Sequence, residues 1–208
     1  MTADPRFWDN LAEEYAAKPV ELPEAFEHKI ATTMSHLKPS HTILDVGCGT
    51  GTLALRLAGE ATAVHGLDFS PEMIRIATGK AAAQGLDNVT FHVGAFDDSI
   101  PFAPGSLDGL CAYSILHLVE DRPDALARIF SLLRPGGFFI SSTVSLGDTW
   151  VPYRPIISVM RMLGKAPFVS ILKRETLLAE VRAAGFIDLT LPDVGAKPTT
   201  TFMVAMKP

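Results

Sequence analysis

The apolar positions of this chain switch between two periods. From Arg6 to Ala17 ("RFWDNLAEEYAA") and from Leu22 to Leu37 ("LPEAFEHKIATTMSHL") they recur at helical spacing, with Lys18-Pro19 between the two segments. "HTILDVG" is then a short continuous apolar run, the mark of a buried strand, and "TLALRLAG" is a helix ending on Gly59. "ATAVHGLD" makes a second strand. "SPEMIRIATGKAAAQG" follows as a helix with Ser70 as N-cap, Pro71 at the first helical position and Gly85 beyond its end. "NVTFHVG" and "LDGLCAYSIL" are a third and fourth strand. "DRPDALARIFSLLRPGG" reads as a helix capped by Asp121 and stopped by Pro135 and two glycines, and "GFFISSTV" as a fifth strand.

Strand and helix thus alternate from residue 42 to 144, which predicts βαβ units and a parallel sheet. The order then changes. "KRETLLAEVRAAGF" is one more helix, and "IDLTLPDV" and "TTTFMVAMKP" are two strands whose short link requires antiparallel neighbours. Between these parts, "SLGDTWVPYRPIISVMRMLGKAPFVSIL" contains three prolines and fits no sheet strand. It predicts a helical insertion above the strand ends. The chain is therefore expected to be one α/β domain over 1–208. Its parts are an N-terminal helical cap (1–40), a ligand-binding core (41–144), a helical insertion (145–173) and a closing helix with a strand pair (174–208).

Composition narrows the function. A chain of 208 residues with 48% hydrophobic and 20% charged residues can bury a substantial core. Its net charge of −5 supplies no basic field for phosphate backbones, so nucleic acid is not an expected partner. No apolar run reaches the roughly 18 to 20 residues of a membrane span, and a membrane is not an expected partner either. "MTADPRFWDN" lacks a basic segment leading into an apolar one, so no secretory signal is expected. Two cysteines, Cys48 and Cys111, are too few for a disulfide framework, which makes the cytoplasm the expected location.

The candidate chemistry centres on "ILDVGCGTG", Ile43 to Gly51. A strand entering a helix through three alternating glycines exposes backbone N–H groups at a helix start, at the end of the sheet where α/β ligands bind. Tight packing without a ligand is the plainer alternative. A dinucleotide fingerprint would read GxGxxG, but position 52 is Thr52 and the third glycine is Gly51. Asp68 ends the next strand, where a carboxylate accepts hydrogen bonds from ribose hydroxyls or stands as an ordinary aspartate before a helix.

"ILDVGCGTG", "GLDFSPEMI" and "LLRPGGFFI", in this order and spacing, resemble the class I S-adenosylmethionine-dependent methyltransferases of small-molecule type. The likeness runs from about Phe7 to the last strand, and "FWDNLAEEYA" is similar to the opening helix of many such enzymes, which implies Tyr15 as a cofactor-binding residue. The resemblance implies a Rossmann-like, doubly wound, seven-stranded sheet, mostly parallel, with a C-terminal antiparallel hairpin. It implies S-adenosylmethionine as cofactor. Gly47, Gly49 and Gly51 would lie against its methionine part, with Asp45 near the ammonium group, Asp68 on the ribose, and Phe69 and Met73 beside the adenine. Relatives often place Asp directly behind the glycine after the third strand. Here "VGAFDDSIPF" has Ala95 and Phe96 there, which leaves the Phe96 backbone for the adenine edge and Asp97 for the amino group.

Methyl transfer depends mostly on aligning the acceptor with the breaking C–S bond, and needs a base only for a protonated acceptor. "CAYSILHLVED" ends the fourth strand, where the resemblance places the groups nearest the methyl. His117 is the candidate base, with Tyr113 beside the cofactor; a locally bonded histidine is the alternative. Cys48 has no metal-like spacing around it, no metal is expected, and His65 reads as a core histidine. The insertion fits a lid over an apolar or aromatic acceptor, a dimer interface or plain packing, so monomer and homodimer both stay open. Arg154 and Arg161 suit an acidic acceptor or solvent. Competing functions are an NAD(P)-dependent oxidoreductase and a non-catalytic module that binds the cofactor.

Overall fold

The computed structural model describes residues 5–97 and 99–208. Asp98 and residues 1–4, which include the start of the segment expected to carry no signal, lie outside the described residues. Two helices, α1 (Arg6–Ala17) and α2 (Pro23–Met34), precede the sheet. Then follow β1 (Thr42–Val46), α3 (Thr52–Leu57), β2 (Ala63–Asp68), α4 (Pro71–Ala83), β3 (Val89–Val93), β4 (Leu107–Tyr113), α5 (Arg122–Leu132) and β5 (Leu133–Val144). The rest comprises α6 (Tyr153–Met162), α7 (Arg174–Ala183), β6 (Ile187–Thr190) and β7 (Thr200–Met206). Seven strands form one sheet in the order β3-β2-β1-β4-β5-β7-β6, in which β7 alone runs against its neighbours.

Both faces of the sheet are covered, as its period-two burial requires. Leu44, Leu110 and Phe139 join Leu126, Ile129, Leu177 and Val181 on the face of α5 and α7. Their strand neighbours Ile43, Cys111, Phe138 and Ile140 pack with Ile30, Leu53 and Leu57 on the face of α2 and α3. Ser70 caps α4 by accepting from the Met73 N–H at 3.2 Å, and Asp121 caps α5 by accepting from the Asp124 N–H at 3.1 Å.

Three local expectations need correction. The alternation of strand and helix is broken between β3 and β4, where a loop lays Phe96, Ile100 and Phe102 against the core. β5 starts at Leu133, ahead of Pro135 and its glycines, because Leu133 pairs with Leu107 before residues 134–137 bulge out and pairing resumes at Phe138 with Gly109. The bulge is held by Lys207, whose carbonyl accepts from Gly136 and whose N–H donates to Gly137. The link between β6 and β7 spans residues 191–199, longer than the sequence suggests, since β6 ends before Pro192.

Candidate active site

A cleft of about 1190 Å³ opens at the carboxyl ends of β1, β2 and β4, where open α/β sheets place their ligands. That volume exceeds the roughly 300–1,000 Å³ of a pocket for one drug-sized ligand, so two molecules can share it. Its floor includes Val46, Gly47, Gly49 and Asp68, and one side includes Phe69, Met73, Ala95 and Phe96. The rest of the wall includes Tyr113, Ser114, Ile115 and His117, with Phe168 from the insertion and Trp8 and Tyr15 from α1.

The glycine turn is shaped by contact. Gly47 has φ +68°, and a Cβ there would sit 2.8 Å from the Ile115 side chain; Gly51 has φ +79°, and a Cβ would sit 2.8 Å from Phe91. Glycine is required at both. The N–H groups of the turn, however, are directed inward. Gly47 and Cys48 donate to the Leu67 carbonyl at 2.8 and 3.1 Å, Gly49 to Asp68 Oδ2 at 3.0 Å, and Gly51 to the Cys48 carbonyl at 3.0 Å. The expectation of exposed donors is corrected here: the turn offers bare surface, not an array of N–H groups for a pyrophosphate.

Asp68 accepts from Gly49 through Oδ2 and from the Ser70 N–H through Oδ1 at 2.9 Å. Asp68 also lines the cleft, and a carboxylate has about four acceptor sites in all. Burial raises the Asp68 pKa, and three backbone donors, the N–H groups of Ser70, Gly49 and Phe69, oppose that rise. Asp45 lies behind the turn, 2% exposed. It accepts from the Ala54 N–H, but its Oδ2 has no hydrogen-bond partner. Burial, with repulsion from Asp68, pushes its pKa up to about 8. A buried carboxyl oxygen left unpaired costs free energy that a nearby cation recovers. This donor set fits a ligand carrying an ammonium group and a ribose without phosphates, which is the chemistry of S-adenosylmethionine.

α1 closes this end of the cleft. Asp9 accepts from Ser70 Oγ at 2.5 Å and from the Glu72 N–H at 3.3 Å, clasping α1 to the start of α4. Tyr15 stands over the glycine turn, 3.7 Å from where a Gly49 Cβ would be. Burial and the charges of Asp68 and Asp45 raise its pKa.

Burial lowers the His117 pKa to about 4, so the ring is neutral, and its buried Nδ1 has no partner. The His117 carbonyl accepts from the Ser170 N–H at 2.8 Å, and Ser170 Oγ accepts from Arg122, which also pairs with Glu180. These bonds moor the end of the insertion beside His117. Tyr113 contributes its ring to the cleft, while its hydroxyl lies 2.7 Å from Thr33 Oγ1 and donates to the Lys29 carbonyl at 3.2 Å.

Gly51 and Asp45 lie behind the cleft wall, and Asp97 lies outside it, exposed and accepting from Ser99. His65 is half-buried against His92 and Phe102. Trp8 is a wall residue that motif reasoning missed, because a helix start carries no signature for it; Ser114 and Ile115 lie in the segment the sequence singled out without being named, and Phe168 comes from the insertion read as a lid. Among the described residues, no three His, Cys, Asp or Glu side chains are grouped to hold a metal, and no helix is long and apolar enough to cross a membrane.

A family model described as a methyltransferase domain matches residues 37–179. A demethylmenaquinone methyltransferase of Symbiobacterium thermophilum is 33% identical over 140 residues, 64% of this chain and 55% of that protein. The O-methyltransferase cnsE of Penicillium expansum is 30% identical over 193 residues, 90% of this chain and 66% of that protein. The chain thus spans between about half and two thirds of the length of these relatives. Among solved structures, a SAM-dependent methyltransferase from Aquifex aeolicus superposes with a TM-score of 0.72 at 18% identity, covering 99% of both chains. The competing oxidoreductase reading falls with these matches. The chain belongs to the methyltransferase-domain family, within the class I S-adenosylmethionine-dependent methyltransferases.

Proposed function

We propose that the chain transfers a methyl group from S-adenosylmethionine to a small molecule with a flat, apolar body, chiefly by holding that acceptor in line. The observation that carries this reading is that one cleft has two unlike sets of lining groups. Asp68 and the closed glycine turn, with Asp45 Oδ2 unpaired behind them, form one; the other is apolar and aromatic, among them Trp8, the Tyr113 ring, Ile115 and Phe168, and includes His117. When bound, S-adenosylmethionine supplies an electrophilic methyl on a cationic sulfur.

In this reading Asp68 accepts from the ribose hydroxyls and Asp45 balances the ammonium group. Phe69, Met73 and Phe96 cover the adenine, and the backbone around Ala95 and Phe96 meets its edge, since Asp97 is turned to Ser99. The apolar wall positions the acceptor and keeps water out. His117, neutral with Nδ1 free, orients a hydroxyl acceptor by accepting its hydrogen bond and is a weak base at most. Tyr113 acts through its ring, because α2 engages its hydroxyl. The similarity to a protein named demethylmenaquinone methyltransferase supports a ring-bearing acceptor.

The test is release of S-adenosylhomocysteine from S-adenosylmethionine in the presence of a panel of hydroxylated ring acceptors. Turnover with one of them supports the proposal. Tight S-adenosylhomocysteine binding with no turnover across the panel would favour the non-catalytic module.

A further inference from the structure

None of the residues of α6 is buried, although it is more strongly amphipathic than any other of the longer helices. Ile156, Val159, Met160 and Leu163 follow the i, i+3, i+4, i+7 spacing of a single helical stripe. On a helix of a globular domain such a stripe faces the core. Here its members are 45, 52, 39 and 59% exposed. Trp150, just ahead of the helix, is 93% exposed. Among the described residues, half of the large exposed apolar side chains fall between positions 150 and 163, a concentration that marks an interaction surface.

Charge selects the partner. Arg154 and Arg161, seven positions apart, share the helix face away from the stripe; Arg161 stacks over the Phe168 ring in the cleft wall, which leaves Arg154 as the cation of the helix itself. From Thr149 to Arg174 the chain has five Lys and Arg and no Asp or Glu, although its net charge is −5. A second copy of a net-acidic chain does not need a carboxylate-free segment to carry an apolar stripe. An anionic lipid surface matches it: aliphatic side chains enter the acyl boundary, an indole lies at headgroup level, and long cationic side chains reach the phosphates. We propose that α6 and Trp150 dock the protein on anionic membrane surfaces, with the helix lying in the headgroup plane. The sequence expectation of no membrane partner rested on the absence of a span, and a helix of 10 residues lies on a bilayer without crossing it. The same segment enters the cleft wall at Arg161, Gly164 and Lys165, so the docked helix is continuous with that wall.

The full chain is sedimented with phosphatidylcholine vesicles made with and without phosphatidylglycerol. We expect it to pellet with the anionic vesicles, less so at high salt, with a blue shift in emission that the Trp150→Phe variant lacks. Arg154→Gln should weaken partitioning roughly fivefold, the loss of one cation near a charged surface. The Ile156→Asp, Val159→Asp double variant should lose pelleting while keeping its circular dichroism, since both side chains are exposed. Three results would overturn the proposal: no pelleting with either vesicle, equal pelleting of the double variant, or a concentration-dependent dimer that the double variant abolishes without any lipid binding.

Discussion

The Gly49 N–H donates to Asp68 Oδ2 at 3.0 Å, which joins the glycine turn after β1 to the end of β2. One carboxylate therefore shapes the turn and faces the cleft. Replacing Asp68 by Ala should weaken S-adenosylhomocysteine binding by roughly 1–3 kcal/mol, the usual loss for a charged hydrogen-bond partner. Calorimetric titration measures this, and unchanged affinity in a folded variant would remove Asp68 from the site.

Asp45 gives the site a pH dependence. Its pKa of about 8 lies above the ordinary carboxylate range, so unliganded Asp45 is mostly protonated at neutral pH. The unliganded fold is favoured most below that ordinary range, and the advantage fades until pH passes about 8. A ligand ammonium favours the ionised form, so binding should release a proton and tighten as pH rises toward 8, then level off. Titration in buffers of different ionisation enthalpy detects the proton, and Asp45→Asn should abolish its release.

His117→Ala should slow hydroxyl acceptors by about a hundredfold or less, the low end for a general base, and leave thiolate acceptors nearly unaffected. With a pKa near 4, His117 should add no step to the rate profile around neutral pH. Equal losses for both acceptor types would assign it a purely structural role.

Two glycines separate backbone need from chance. Gly47→Ala places a side chain at φ +68° and against Ile115, and should destabilise the fold by about 1–3 kcal/mol. Gly79→Ala, inside α4 with nothing within 4 Å, should stabilise it by about 0.5–1 kcal/mol. Urea midpoints for the two variants should move in opposite directions.

Much of this was legible in the sequence where the signals are local. Ser70-Pro71 fixed the start of α4, and Gly85 its end, because capping acts within a few residues. The hydroxyl partner of Tyr113, by contrast, lies 80 positions away on α2, and the Leu67 carbonyl that absorbs the Gly47 and Cys48 donors lies on the neighbouring strand. Such pairings follow from the sheet order, which no motif spells out. α6 shows the same boundary: its periodicity announces an apolar stripe, but only the fold shows that nothing among the described residues buries it.

The placement of β7 between β5 and β6 dictates an order of assembly. Residues 187–190 leave the ribosome before residues 200–206, yet they have no neighbour to pair with until the later segment has slotted in beside β5. The edge of the nascent sheet therefore stays open while this stretch is translated, and a chaperone or a pause at that stage would act on a β5 paired only with β4.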